Sequence, residues 1–160
     1  MIMQQPSAGD AADIIAIHHL AAAYAEAICR GEIDEAVLVY ANDGVLRSPT
    51  TADAVGRAAI ADVIRTATAG MDFVFQTVHQ GLVRIDGDRA FARFPITEWG
   101  RRGESSVQFL GCYDDEAVRT DAGWRFASRY LAPRTLGRPT GFTGRVIDLG
   151  GALQDSPLFG

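Results

Sequence analysis

The strongest constraint on this chain is a change of pattern near residue 71. From there, four β-prone runs at 72–85, 89–99, 105–119 and 124–131 follow one another with only tight-turn signals between them. Those signals are Asp86-Gly87-Asp88, Gly100-Arg101-Arg102-Gly103 and Thr120-Asp121-Ala122-Gly123. Turns this short join antiparallel neighbours. The runs exceed the mean strand length of about 5–6 residues, and long strands imply a strongly curved sheet. Before residue 71 the spacing is helical. Ile14, Ile17, His18, Ala21, Tyr24, Ala25 and Ile28 share one side of a helix predicted over 13–30, with Asp13 as its N-cap and Arg30-Gly31 as its break. A short second helix spans 32–40 and ends at Asn42-Asp43-Gly44, and 45–48 reads as a small strand stopped by Pro49. A third helix over 56–69 turns Ala59, Ile60, Val63 and Ile64 inward and ends at Gly70. Helices first and a meander last make an α+β chain, with helices covering one face of a bent antiparallel sheet.

With 160 residues, one domain is expected, and it is large enough to bury a substantial core. Residues 1–11 are small and polar and read as an arm. Residues 132–160 form a Gly/Pro-rich extension with a short strand expected over 145–149. Its apolar residues Phe142, Val146, Ile147, Leu149, Leu153 and Leu158 predict packing on the pocket mouth or on a neighbouring subunit. The net charge of −5 argues against a nucleic-acid partner. All fifteen basic residues are arginine, and the absence of lysine removes Schiff-base chemistry, a pyridoxal anchor and a P-loop. No apolar run reaches about 18 residues, so no membrane span is expected. The start Met1-Ile2-Met3-Gln4-Gln5-Pro6 lacks the regions of a signal peptide, so a cytoplasmic location is expected. Cys29 and Cys112 then read as reduced packing thiols.

Chemistry narrows by elimination. His18 and His19 are adjacent and point about 100° apart on a helix, which with His79 gives no metal-binding pair. There is no Gly-x-Ser-x-Gly and no Gly-x-Gly-x-x-Gly, so no serine nucleophile and no cofactor is expected. General acid–base catalysis remains. His79 is the leading candidate, because it shares strand parity with Phe73, Phe75, Thr77 and Val83; the alternative is a wall or rim histidine. Glu98, Gln108, Asp114, Arg129 and Arg134 are further polar positions on the strands, and Arg129 suits either an oxyanion or an ion pair with Asp114 or Asp115. Trp99 and Trp124 read as core or subunit contacts.

Several pieces, in order and spacing, resemble the SnoaL-like branch of the nuclear transport factor 2-like superfamily over about residues 12–131. They are Tyr24-Ala25-Glu26-Ala27, Arg30-Gly31-Glu32, Tyr40-Ala41-Asn42-Asp43-Gly44, Gly56-Arg57-Ala58-Ala59-Ile60, Ile85-Asp86-Gly87-Asp88-Arg89-Ala90 and the closing run 113–126. The resemblance implies a cone-shaped, cystatin-like barrel whose curved sheet wraps an apolar pocket under three N-terminal helices. It implies cofactor-free proton transfer as in dehydratases, ketosteroid isomerases, polyketide cyclases and dehydrochlorinases, or a non-catalytic ligand-binding module. By that analogy Glu26 orients the His79 imidazole and Tyr24 holds a substrate oxygen. The helical wheel, however, sets Glu26 with Ile15, His19 and Ala22, opposite the main apolar stripe, and His19 is an alternate base. Counted back from Asp86-Gly87-Asp88, the family's histidine position falls at Gln76 or Thr77, and a slip or bulge would bring His79 to it. Cys29 stands where many members carry an aspartate. The expectation is a lyase, such as a dehydratase, acting on a hydrophobic cyclic or aromatic molecule. Arg129, Phe75, Thr77 and Gln108 would contact the substrate, and the assembly would be a homodimer or homotrimer.

Overall fold

The computed structural model describes residues 6–138. A 3-10 turn over Ala8–Asp10, boxed by the Ser7 and Asp10 side chains, leads into α1, Ala11–Arg30. The helix thus begins two residues before the expected Asp13 cap. Asp13 instead receives Trp124 Nε1 at 2.9 Å and Arg119 Nη2 at 2.7 Å, a tertiary anchor that a local cap reading misses. Residues 8–30 are long and apolar enough to cross a membrane by length and composition. In the fold, Ile17, Leu20, Ala21, Tyr24, Ala25, Ala27 and Ile28 of that helix are buried. It ends at Gly31, whose φ of 76° only glycine adopts freely.

The second helix is shorter than expected. α2 covers Ile33–Ala36, a 3-10 turn covers Val37–Val39, and β1 already begins at Tyr40 and runs to Ser48. Asn42-Asp43-Gly44 is therefore an irregularity inside a strand rather than a helix stop. Tyr40 pairs with Phe126, yet Val45 pairs with Ser128, so the residues between them bulge out of register. β2, Thr51–Val55, folds back on β1 after Pro49 and was not foreseen. α3 is Arg57–Thr68, burying Ile60, Ala61 and Ile64. Then come β3 (Phe73–Val78), β4 (Leu82–Asp86), β5 (Arg89–Arg102), β6 (Ser105–Thr120) and β7 (Gly123–Gly137).

The seven strands form one sheet in the order β2-β1-β7-β6-β5-β3, with β4 also on β5. The α+β cone under three helices is as expected, but the sheet is mixed and unclosed. β1 lies parallel to β7, because the first strand is inserted beside the last, and β2 and β3 remain as edges. β7 runs six residues past the expected end at 131, and the remainder of the extension, including 145–149, lies outside the described residues. The core joins α1 and α3 to the concave face through Ile17, Ile60, Tyr40, Phe94 and Phe126.

The run 72–85 is two strands, not one. Val78 pairs with Ile96 and Leu82 with Arg93, so His79, Gln80 and Gly81 oppose only Phe94 and Pro95, and one residue is extra. Gly81 fits there because a Cβ would fall on the Phe94 ring and 2.5 Å from the Arg93 carbonyl oxygen. A one-residue bulge inverts parity. Val74, Gln76 and Val78 face inward before it, and Val83 and Ile85 after it, while Phe75 and His79 are exposed.

Candidate active site

The concave side of the sheet encloses a cavity of about 210 Å3 between α1, α3 and strands β1, β3, β5, β6 and β7. Its walls are apolar: Ile28, Leu46, Val63, Ile64, Val74 and Leu131. Exposed Thr50, Thr51 and Ala67 stand at its mouth. Its deep polar groups are Tyr24, Gln76, Glu98 and Tyr113.

Strand register brings these groups together in rows. Gln76, Glu98 and Phe109 are neighbours across β3, β5 and β6. The next inward row is Val78, Ile96 and Gly111, the one after it Phe94, Tyr113 and Leu131, and below that lie Ala92, Asp115 and Arg129. Glu98 Oε2 accepts a hydrogen bond from Gln76 Nε2 at 2.8 Å. Burial raises the pKa of the Glu98 carboxyl above the usual glutamate value, with the Gln76 bond pulling the other way. The Tyr24 and Tyr113 rings meet edge to face, 5.8 Å between centroids. Burial pushes both phenols far above their ordinary pKa, so they stay protonated and can donate.

Beneath them Arg129 is fully buried. Its Nε and Nη2 donate to Asp115 at 2.9 and 3.0 Å, and its guanidinium lies 3.9 Å from the Tyr113 ring centroid, 4.3 Å from Phe126 and 4.6 Å from Tyr24. Burial works against that charge, and the Asp115 carboxylate more than restores it. Arg129 therefore backs the tyrosines and does not line the cavity, which departs from its expected place against the substrate. The alternative pairing with Asp115 is the one found.

Glu26 and His79 lie elsewhere, on an open cleft of about 460 Å3 between α1 and the free edge of β3. His18, Phe75, Thr77 and Gln80 share it. His79 is exposed, with Nε2 2.9 Å from Thr97 Oγ1, and Glu26 is paired at 4.0 Å with Arg30, its side chain 46% exposed. The bulge that could have turned His79 into the cone turns it out. Phe75 and Thr77 are on the outer face of β3, opposite Trp99 and Thr97. Gln108, opposite Trp99 on β6, lines neither hollow, and Arg134 is exposed. His19 is exposed on α1. Gln76 lines both hollows, and its backbone N–H donates to Cys29 Sγ at 3.2 Å, so the thiol closes part of the β3 edge. Among the described residues no group of three His, Cys, Asp or Glu side chains is placed to hold a metal ion.

The sequence profile of the SnoaL-like domain matches residues 9–130. The chain belongs to the SnoaL-like family. No curated protein matches it in sequence. Solved structures similar to this SnoaL-like chain include a putative aromatic ring hydroxylase from Novosphingobium aromaticivorans, 25% identical, covering 85% of this chain and 96% of that one at a TM-score of 0.75. A putative scytalone dehydratase from the same organism is 16% identical over 86% and 97% of the two chains, TM-score 0.74. A hexachlorocyclohexane dehydrochlorinase of Novosphingobium barchaimii is 13% identical over 86% and 97%, TM-score 0.78. At 13–16% identity the last two show the fold that this chain shares with them.

Within the SnoaL-like fold, then, Gln76 is the inward residue at the place counted for the family's histidine, with Glu98 beside it. Glu98 had a sequence signal of its own. Ala90, Ala92, Phe94 and Ile96 alternate as buried residues along β5, and Glu98 continues their parity with a carboxyl.

Proposed function

We propose that this protein is a cofactor-independent acid–base enzyme that moves a proton within a small cyclic molecule bound in the cone. Glu98 is the proton carrier, and Tyr24 and Tyr113 donate to a substrate oxygen. The observation that supports the reading is Glu98 itself, a carboxyl in an apolar cavity with its proton affinity raised by burial. A carboxylate base with tyrosine donors suits isomerisation of an enone better than the histidine-driven elimination expected from His79. The cavity, about 210 Å3, is below the roughly 300–1,000 Å3 of pockets for drug-sized ligands, so a one-ring substrate fits better than a steroid.

The competing reading keeps His79 and Glu26 as the catalytic pair, since both line the outer cleft. Solvent-deuterium incorporation into a panel of monocyclic enones, followed by NMR, separates the two. Glu98→Gln is expected to lose about 100-fold or more of the exchange rate, in line with general acid–base contributions of about 10²–10⁴, while His79→Ala retains it. The reverse pattern transfers the chemistry to the cleft. Ligand binding unchanged in both variants, with no exchange by the wild type on any probe, leaves a binding module.

A further inference from the structure

Gln76 occupies an inward position on β3 between Val74 and Val78, which solve the same packing problem with apolar side chains. It is 5% exposed, and its only side-chain hydrogen bond among the described residues is Nε2 to Glu98 Oε2. Its Oε1 is buried with no partner there. Leaving a buried acceptor unpaired is costly, and a third valine would have avoided that cost. Its backbone is held as well: the N–H reaches Cys29 Sγ at 3.2 Å, and the thiol donates back to the Gln76 carbonyl at 3.5 Å. The main chain is fixed by α1 on one side and β5 on the other, and the one satisfied amide group is aimed at one carboxyl oxygen.

We propose that Gln76 is a positioning residue for Glu98: its amide fixes one oxygen of the carboxylate and stabilises the charged form, leaving the other oxygen for the substrate. The proposal rests on Glu98 being the proton carrier. The side chains that share this environment are Tyr24 and Cys29 from α1 and Tyr113 from β6, each acting electrostatically with Glu98. All three of these carry raised pKa values and stay neutral as Glu98 titrates, so the Gln76 amide is the one group among them that favours the carboxylate. A proton carrier needs that favour. Burial alone drives a carboxyl toward permanent protonation, whereas a donor fixed on one oxygen lets it release and recover the proton.

The test is a titration of the Glu98 carboxyl in the full chain by NMR with carbon-13-labelled glutamate, using Glu98→Gln to assign the signal. Gln76→Met keeps the length of the side chain and removes the donor. Its Glu98 midpoint is expected to rise by about one pH unit, a tenfold gain in proton affinity, and the pH dependence of solvent-deuterium exchange is expected to move with it. Gln76→Asn, too short to reach, is expected to shift the midpoint in the same direction and serves if the methionine variant fails to fold. A midpoint that stays or falls in a folded variant overturns the proposal. Because the titration needs no substrate, that outcome leaves the function of Glu98 standing. Full turnover by Glu98→Gln would remove the function without altering the titration.

Discussion

Removing Arg129 alone should be among the most damaging single changes in this protein. Its side chain and that of its partner Asp115 are both 0% exposed and joined by two hydrogen bonds of 2.9 and 3.0 Å. Taking away one member of a buried ion pair strands the other charge, at about 3–5 kcal/mol. The guanidinium also sits over three aromatic rings at 3.9–4.6 Å, contacts that Arg129→Met forfeits, so the upper part of that range is expected. For a chain of this size about 4 kcal/mol corresponds to roughly 10 °C in melting temperature, a large share of a total stability of about 5–15 kcal/mol. Replacing both partners with apolar residues, as in Arg129→Met with Asp115→Leu, removes the stranded charge. The double variant is therefore expected to return to within about 1 kcal/mol of the wild type or to exceed it. Urea unfolding of the wild type, both single variants and the double variant closes the cycle. The reasoning is refuted if Arg129→Met loses less than about 1 kcal/mol, or if the two single losses simply add in the double variant.

Gly81→Ala should cost about 1–3 kcal/mol by urea unfolding, since the added methyl has no space between the Phe94 ring and the Arg93 carbonyl; wild-type stability in this variant would mean that the bulge is looser than described. Asp13 has its pKa lowered from 3.8 by hydrogen bonds from Arg119 and Trp124, so the stability it adds is present above that value and lost as pH falls through the lowered folded value. The difference in melting temperature between wild type and Asp13→Asn should accordingly be open at pH 6 and close below pH 3.8; a difference that persists at low pH sinks the assignment.

Much of the architecture could be read from spacing. α1, α3 and the long strands β5 and β6 follow from apolar periodicity over many residues, and their turns carry glycine at Gly87, Gly103 and Gly123 with positive φ. Two of the errors share one cause, which is that bulges carry no consistent sequence mark. Asn42-Asp43-Gly44 looks like a stop because its residues are those of a turn, yet here they absorb the register shift between Tyr40 and Val45. His79-Gln80-Gly81 is the opposite case, an insertion with no turn dipeptide, faced by only Pro95 and Phe94 across the ladder. That single residue gives β3 and β4 opposite inward parities, so Gln76 rather than His79 faces the cone. The Glu98 position was legible from the parity of β5, but its partner was not, because Gln76 meets it only through the pairing of strands 22 residues apart. Arg129 was seen as a charge, and only the β6–β7 register shows that Asp115 rather than Asp114 takes it inward.

The parallel pairing of β1 with β7 also orders events in time. Residues 40–47 find their sheet partner only at residues 126–130. While the chain is being synthesised, β1 can form no more than a two-stranded ribbon with β2, which is marginal alone. The apolar side of α1 faces strands that do not yet exist. Contacts this distant along the chain must await their closure cost, so the cone assembles late and nearly at once, after the ribosome has released the last strand. Until then Ile17, Leu20, Tyr24 and Ile28 of α1 lack the strands that bury them.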